Sequence, residues 1–260
     1  MPCKLDIGEY IFRQCRKACR QYNLVDDGDR ILVGLSGGKD SMALIEMLGR
    51  MSRHKKPEFS VKAAFISMEH IDYQVNTDSL AEHCNSYGIE FIHRKTCFDQ
   101  EHGSKKQPCF VCSWTRRKEL FSIAKEFSCN KLALGHNRDD ILETFLLNTS
   151  FLGNISSMPP SLKMNKFDLT IIRPLYLVAE KNLEELAIIR QFIKPEKRCP
   201  YEKESHRNEM KKLLESLRAI NPEADKSILA SLSHVLPDYL PPQKKANIVR
   251  STLSENPREE

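Results

Sequence analysis

The sequence predicts an α/β protein with a five-stranded parallel sheet, helices on both faces and a small helical C-terminal extension. From residue 30 onward, short apolar runs rich in β-branched residues alternate with longer helical stretches. Strands separated by helices pair in parallel through crossover connections. The chain has 260 residues, 40% hydrophobic and 29% charged, which is enough to bury a sizeable core.

The elements follow in order along the chain. An amphipathic helix is predicted over residues 6–24, with Asp6 as its N-cap. The five predicted strands are RILVGL at 30–35, VKAAFIS at 61–67, IEFIH at 89–93, KLALG at 131–135 and LTIIR at 169–173. The further predicted helices cover 41–53, 73–87, 112–128, 139–151, 181–193, 204–218 and 225–236.

The predicted organisation has four segments. These are an N-terminal helix at 1–28, a domain at 29–180 that holds the predicted sheet and the C-x-x-C segment, a helical region at 181–240 that carries Cys199, and a disordered tail at 241–260. In an open parallel sheet, ligands bind outside the carboxyl ends of the strands. Chemistry is therefore expected just after Leu35, Ser67, His93 and Gly135.

Composition limits the class of protein. The sequence holds no apolar run of about 18 residues and no N-terminal signal pattern, so a cytoplasmic protein without a membrane partner is expected. Nine cysteines are an odd number in a chain too large for a disulfide scaffold, which predicts metal ligands and small core residues. A net charge of +5 permits nucleic-acid binding without demanding it.

The first motif is Ser36-Gly37-Gly38-Lys39-Asp40-Ser41, between a predicted strand and a predicted helix. Glycines let a backbone approach a ligand closely, and a helix N-terminus offers free N–H groups to an anion. The motif thus predicts a phosphate cradle, although its spacing is neither that of the Walker loop nor that of the dinucleotide-binding fold. An ordinary strand-to-helix turn is the alternative.

The second motif is Gly135-His136-Asn137-Arg138-Asp139-Asp140, after the strand KLALG. Adjacent carboxylates at a strand end can bind a divalent cation. They are equally typical of a plain helix start, which the helix dipole favours.

The third motif is Cys109-Phe110-Val111-Cys112. A single C-x-x-C is compatible with a redox pair, half a zinc site or half an iron-sulfur site. Cys97, His102 and Cys199 are the candidates to complete a zinc site, and Cys199 could equally be an idle thiol.

Ser-Gly-Gly-Lys-Asp-Ser after the first strand resembles the PP-loop of the ATP pyrophosphatase superfamily, whose members adenylate a carbonyl and release pyrophosphate. The resemblance implies that Ser36, Gly37, Gly38 and Ser41 bind the pyrophosphate portion of ATP and that Asp40 helps to hold Mg²⁺. LGHNRDDILET matches a second signature of one subgroup. It assigns nucleotide binding to His136 and Asp140 and a catalytic role to Asp139.

Together with PCxxCS-x-x-RR, MPPSL at 158–162 and IIRPL at 171–175, these motifs resemble the bacterial tRNA 2-thiocytidine synthetase family from about residue 7 to 240. The resemblance implies a 4Fe-4S cluster on Cys109, Cys112 and Cys199, the last placed by its spacing to Arg207. Family members often carry a further cysteine where this chain has Glu196, so the third ligand rests on Cys199 alone.

A two-step mechanism follows as a hypothesis. ATP adenylates O2 of a tRNA cytidine, at position 32 of the anticodon loop, and sulfide at the iron without a protein ligand then displaces AMP. Lys39 and Arg138 would stabilise phosphate charge, and Arg116, four residues after Cys112, would position the base. The basic residues expected to contact RNA are Lys105, Lys106, Arg116, Arg117 and those of 194–212.

The resemblance also implies partners: tRNA, a sulfur donor such as a cysteine desulfurase, and a second copy of the chain in a homodimer. Two alternatives stay open at this point. One is a PP-loop thiolase or ligase that acts on another tRNA base. The other is a zinc-stabilised RNA-binding protein without catalysis, which metal identity and ATP turnover would distinguish.

Overall fold

A computed structural model of the chain describes residues 6–69, 72–97, 108–192, 196–198 and 206–241, without the side chains of 72–74, 108–110 and 196–198. Its main sheet has the strand order β4-β2-β1-β5-β7-β6. The strands of this sheet are β1 (Arg30–Leu35), β2 (Ser60–Met68), β4 (Glu90–Thr96), β5 (Lys131–Ala133), β6 (Ser161–Lys163) and β7 (Thr170–Ile172).

All five predicted strands are present and pair in parallel, which confirms an α/β fold with a mostly parallel sheet. The predicted number of five is wrong by one, because β6 pairs antiparallel with β7 at the edge of the sheet. A three-residue strand is too short to show the alternation that identifies longer ones. The predicted tail at 241–260 lies, except for its first residue, outside the described residues.

The helices agree with the prediction within a few residues. They are α1 (Ile7–Gln21), α2 (Lys39–Ser52), α3 (Thr77–Ser86), α4 (Pro108–Glu126), α5 (Arg138–Leu152), α6 (Glu180–Ile189), α7 (Arg207–Ile220) and α8 (Ala224–Ser231). Helix α4 begins earlier than predicted, at Pro108, because proline suits the first helical position, where its missing N–H has no role. Asp6 is the N-cap residue of α1 but makes no side-chain capping bond.

A second, two-stranded sheet corrects the predicted start of one helix. Strand β3 (Asp72–Gln74) pairs antiparallel with β8 (Glu196–Arg198). The helix predicted over 73–87 therefore begins only at Thr77, where the side chain of Asn76 caps the N–H groups of Asp78 and Ser79. Cys199 follows β8 directly in the chain and lies outside the described residues.

The centre of the sheet is covered on both faces. Successive residues of β1, Ile31, Leu32 and Val33, have no exposed surface. Since successive side chains of a strand point to opposite faces, both faces of the sheet carry packed helices. Phe121 and Ile123 of α4 belong to the cluster on the Leu32 face.

The chain divides into two compact units. The first comprises Met1–Arg138 and Pro159–Glu202 and contains the main sheet; the second comprises Asp139–Met158 and Lys203–Glu260. The four-segment organisation predicted from the sequence remains a prediction. Among the helices of the described ranges, none combines the length and the apolar character that a membrane span requires.

Candidate functional site

The turn between β1 and α2 exposes the start of a helix. Gly37 has a φ of +79°, a conformation that glycine adopts without the penalty a Cβ would bring. A Cβ built on Gly38 would meet Ser36 Oγ at 3.5 Å as its nearest neighbour, which is an ordinary contact. The backbone at Gly38 is thus open on the side where a Cβ would lie, directly before the N-terminus of α2.

The two serines of this turn fix its shape. The Ser36 N–H donates to Ser41 Oγ at 3.2 Å, and Ser41 Oγ donates to the Gly38 carbonyl at 2.9 Å. The Gly38 N–H reaches Ser36 Oγ at 3.4 Å, near the limit of a hydrogen bond. The hydroxyl groups of Ser36 and Ser41 therefore stabilise the conformation of the turn. The longest hydrogen bond is that of the Gly38 N–H, a group that could donate to a bound anion instead.

The end of β5 packs directly against this turn. A Cβ on Gly135 would lie 3.1 Å from Ser41 N and 3.2 Å from the carbonyl carbon of Asp40, closer than nearly all real Cβ contacts. The Asn137 amide donates to Asp40 Oδ1 at 3.4 Å. Since β1 and β5 are neighbours in the sheet, the first and second sequence motifs meet here, as their positions at strand ends predict.

Lys39 is held between two carboxylates. Its Nζ lies 3.0 Å from Glu180 Oε1 and 3.5 Å from Asp40 Oδ2. Partial burial acts to lower the pKa of Lys39, but Asp40 and then Glu180 outweigh it, so that the pKa is raised above its ordinary value. Lys39 therefore brings an ammonium group to the first turn of α2, beside the carboxylate of Asp40.

His136 is held by a buried arginine. Arg173, with 6% of its surface exposed, donates from Nε to His136 Nδ1 at 3.3 Å. Its Nη1 donates to the Pro159 carbonyl at 2.6 Å, and its backbone N–H donates to the Pro160 carbonyl at 2.9 Å. One side chain thus joins LGHNRDD, MPPSL and IIRPL. Because Nδ1 accepts, the neutral imidazole carries its proton on Nε2.

The carboxylates of Asp139 and Asp140 belong to the second unit, where arginines of α7 bind them. Asp139 is buried and accepts from Arg218, which also donates to Asp225 Oδ1 at 2.8 Å. Asp140 forms an ion pair with Arg207 at 3.7 Å. Partial burial acts to lower the pKa of Arg218, but Asp225 and Asp139 raise it well above its ordinary value. Both carboxylates are therefore paired with an arginine of α7.

The C-x-x-C occupies the first turn and a half of α4, where Cys109 and Cys112 are three residues apart and share a helix face. The Cys112 side chain is half-buried and not part of a disulfide. Of the other candidates, Cys97 is exposed, whereas the Cys109 side chain, His102 and Cys199 are not described. Within the described side chains, no group of three or more His, Cys, Asp and Glu residues could hold a metal ion.

The expected RNA contacts are placed only in part. Arg116 is half-buried and Arg117 exposed on α4, whereas Lys105 and Lys106 lie outside the described residues. Of the basic segment 194–212, the structure describes 196–198 and 206–212. Arg138 is placed by its backbone N–H, which donates to the Val178 carbonyl at 2.9 Å.

Three residues organise the site without a role predicted from the sequence. Arg173 and Asn137 are predicted only as members of motifs, and Glu180 belongs to none of the motifs. Arg173 follows the buried strand β7 directly, at the sheet edge where ligands bind, and that position was the available signal. Glu180 bonds Lys39 across a separation of 141 residues, which no local pattern shows.

Comparison with known proteins identifies a matching family and several relatives of this chain. A family model described as a PP-loop domain matches residues 10–214. Two curated relatives are named tRNA-cytidine(32) 2-sulfurtransferase. The protein from Citrifermentans bemidjiense is 35% identical, over 86% of this chain and 89% of the relative. The protein from Sorangium cellulosum is 36% identical, over 91% and 84%.

Solved structures agree on the architecture. The chain is similar to the U34-tRNA thiolase NcsA from Methanococcus maripaludis, solved with its 4Fe-4S cluster, with a TM-score of 0.69 and 26% identity over 90% of this chain and 81% of that one. It also resembles the NH3-dependent NAD synthetase from Campylobacter jejuni, with a TM-score of 0.50 and 14% identity over 89% and 98%. The second likeness concerns the fold alone.

Proposed function

Since the chain belongs to the PP-loop family that includes the tRNA-cytidine(32) 2-sulfurtransferases, we propose that it is an ATP-dependent sulfurtransferase that converts a tRNA cytidine, in position 32 of the anticodon loop, to 2-thiocytidine. The observation that carries the proposal is the packing of Gly135 against Ser41, which brings the two nucleotide-binding motifs together at neighbouring strand ends. The proposed reaction has two stages, adenylation of the base and transfer of sulfur.

In the first stage, the turn of Ser36, Gly37, Gly38 and Ser41 binds the pyrophosphate portion of ATP. The open backbone at Gly38 and the positive end of α2 favour an anion there. Asp40 is the proposed ligand of Mg²⁺, with a carboxylate that Asn137 already orients. Binding of the cation would compete with the Lys39 ammonium at 3.5 Å.

Lys39 and Arg138 are the proposed stabilisers of charge as pyrophosphate leaves. Lys39 is suited to this because its raised pKa keeps the ammonium protonated over the whole neutral range. Moving from Glu180 Oε1 to a phosphate oxygen exchanges one charged partner for another. The roles that the resemblance implies for His136 and Asp140 in nucleotide binding, and for Asp139 in catalysis, are part of the proposal.

For the second stage, the donor set fits a 4Fe-4S cluster. Cys109 and Cys112 lie on one face at the start of α4, the half-buried Cys112 is not part of a disulfide, and Cys199 is the proposed third ligand. When bound, the cluster supplies an iron that no protein thiolate occupies and that can carry sulfur. Arg116, one turn after Cys112, is the proposed residue that positions the adenylated base.

The proposal includes partners and a compartment. The RNA is bound by Arg116, Arg117 and the basic residues of 194–212, and an external donor such as a cysteine desulfurase supplies the sulfur. An anticodon loop suits this enzyme because its bases unstack at low cost. Homodimerisation and location in the cytoplasm, where tRNA is found, are further parts of the proposal.

Metal analysis after anaerobic purification tests the proposal. We expect about four irons and four acid-labile sulfides per chain. The variant Cys199→Ala should lose them, and Cys97→Ala, which removes an exposed thiol, should keep them. Zinc without labile sulfide, together with no tRNA-dependent release of pyrophosphate, would contradict the proposed function and favour a zinc-stabilised RNA-binding protein.

A further inference from the structure

Trp114 is exposed on a helix that carries much of the proposed chemistry. It is the single tryptophan of the chain, and 53% of its surface is accessible. It lies in α4, two residues after Cys112. Exposing the large apolar ring of tryptophan to water costs free energy, and an exposed position of a helix usually carries a polar residue instead.

The helix neighbours on the C-terminal side of Trp114 are cationic. Arg117 and Lys118 follow at helical spacings of three and four and are exposed beside it. The Lys118 Nζ lies 5.6 Å from the centroid of the indole ring, within cation–π range. Phe121, further along the same face of the helix, is buried in the core. The face is therefore buried at Phe121 and exposed to solvent at Trp114.

An aromatic ring beside cations fits one kind of partner in particular. A protein partner that docks through apolar contact needs a continuous apolar patch, whereas the exposed neighbours of Trp114 among the described side chains of this face are an arginine and a lysine. An unstacked nucleotide offers both a flat base for the ring and a phosphate for the cations.

We propose that Trp114 is a stacking platform for an unpaired base of the RNA substrate, with Arg117 and Lys118 binding the adjoining phosphates. The inference rests on the proposed function for the identity of that RNA. Single-stranded loops are the parts of RNA whose bases can stack on aromatic side chains. The anticodon loop of a tRNA is such a segment.

Helix geometry places the stacked base beside the modified one. Residues two apart in a helix project about 200° from each other and differ by about 3 Å along the axis. Trp114 and Cys112 therefore point to different sides of α4 at nearly the same height. The base on Trp114 is then a neighbour of the target cytidine rather than the target, and its stacking holds the loop open.

The lone tryptophan allows a direct test. Its fluorescence is recorded during titration with unmodified tRNA, with excitation at wavelengths that tyrosine does not absorb, at a constant cluster content. We expect saturable quenching by tRNA and by an isolated anticodon stem-loop. The variant Trp114→Ala should bind tRNA on the order of tenfold more weakly, Trp114→Phe should bind nearly as well as wild type, and Lys118→Ala should lower the salt dependence of binding by about one counterion.

Tyr239→Ala is the matched control, because it removes an aromatic ring that is 86% exposed in the second unit. Equal tRNA affinity of Trp114→Ala and Tyr239→Ala, or unchanged fluorescence in a complex that a filter assay shows to be saturated, would overturn the inference. Quenching by ATP but not by tRNA would also overturn it, since the platform would then belong to the nucleotide.

The result also separates the inference from the proposed function. A wild-type enzyme that forms 2-thiocytidine, with a Trp114→Ala variant of unchanged KM for tRNA, leaves the function standing and removes the inference. Saturable quenching and tenfold weaker binding of the variant, without any thiolation by wild type, would support the inference and contradict the proposed function.

Discussion

The Arg173 Nε donates to the His136 Nδ1 at 3.3 Å, across 37 residues of sequence, and the same guanidinium bonds the Pro159 carbonyl. Both arginine bonds are charge-assisted, and the arginine is almost fully buried. The relationship ties the loop after β5 to the segment before β6. The shape of the nucleotide-binding side of the sheet therefore depends on Arg173.

Replacement of Arg173 by Ala should lower the free energy of unfolding by about 3 kcal/mol, because two charge-assisted bonds of a buried side chain are lost. His136→Ala removes one of these bonds and should cost about 1 kcal/mol. Urea denaturation measures both. Equal losses in the two variants would show that the bond to Pro159 contributes nothing. The KM for ATP should rise in both, since Arg173→Ala releases the His136 side chain and His136→Ala removes it.

Gly37 and Gly38 should respond differently to alanine. Gly37→Ala places a Cβ at a φ of +79° and should lower the unfolding free energy by about 1–2 kcal/mol. Gly38→Ala meets only an ordinary contact at 3.5 Å and should leave stability nearly unchanged, yet its methyl group occupies the open side of the turn. Calorimetric titration should then show ATP binding at least tenfold weaker for Gly38→Ala. Wild-type affinity in that variant would refute the phosphate site.

Asp139 and Asp225 share Arg218 as partner, which allows their roles to be separated. Asp139→Asn and Asp225→Asn should each cost about 1–2 kcal/mol of stability, since each weakens an ion pair with the same guanidinium. At a temperature where both variants are folded, turnover should fall about 100-fold in Asp139→Asn and stay near wild type in Asp225→Asn. Equal turnover in the two would leave Asp139 a purely structural role.

The cysteines should differ in their reactivity. Burial raises the pKa of the Cys84 thiol to about 12, so hardly any thiolate exists at neutral pH. Burial also raises the pKa of Cys129, whereas Cys97 is exposed. Brief alkylation of the native protein at pH 8, followed by peptide mass spectrometry, should label Cys97 and leave Cys84 and Cys129 unmodified. Rapid labelling of Cys84 would contradict its place in the core.

The sequence predicts the five parallel strands because each is an apolar run, as strands buried on both faces must be. Strand β6 has three residues with an exposed-intermediate-exposed pattern, so nothing in it distinguishes a strand from a loop. The pairing of β3 with β8 joins two polar triplets far apart in sequence, and only tertiary structure creates it.

The same distinction applies to the site. The turn at Ser36–Ser41 and the segment at Gly135 are recognisable because each is a short motif of characteristic residue types. The contacts of Arg173 with His136, and of Glu180 with Lys39, depend on long-range packing and carry no local pattern. Motif reading therefore finds the backbone of a site more readily than the side chains that orient it.

The most direct test of the central claim is formation of 2-thiocytidine. Anaerobically purified protein is incubated with unmodified tRNA, ATP, Mg²⁺ and sulfide, and the nucleosides are analysed by mass spectrometry after digestion. The account predicts ATP-dependent 2-thiocytidine with wild type, a loss of at least about 100-fold in Lys39→Met, and none in Cys112→Ala. Thiolation of a uridine instead of a cytidine, or wild-type yield from Cys112→Ala, would contradict it.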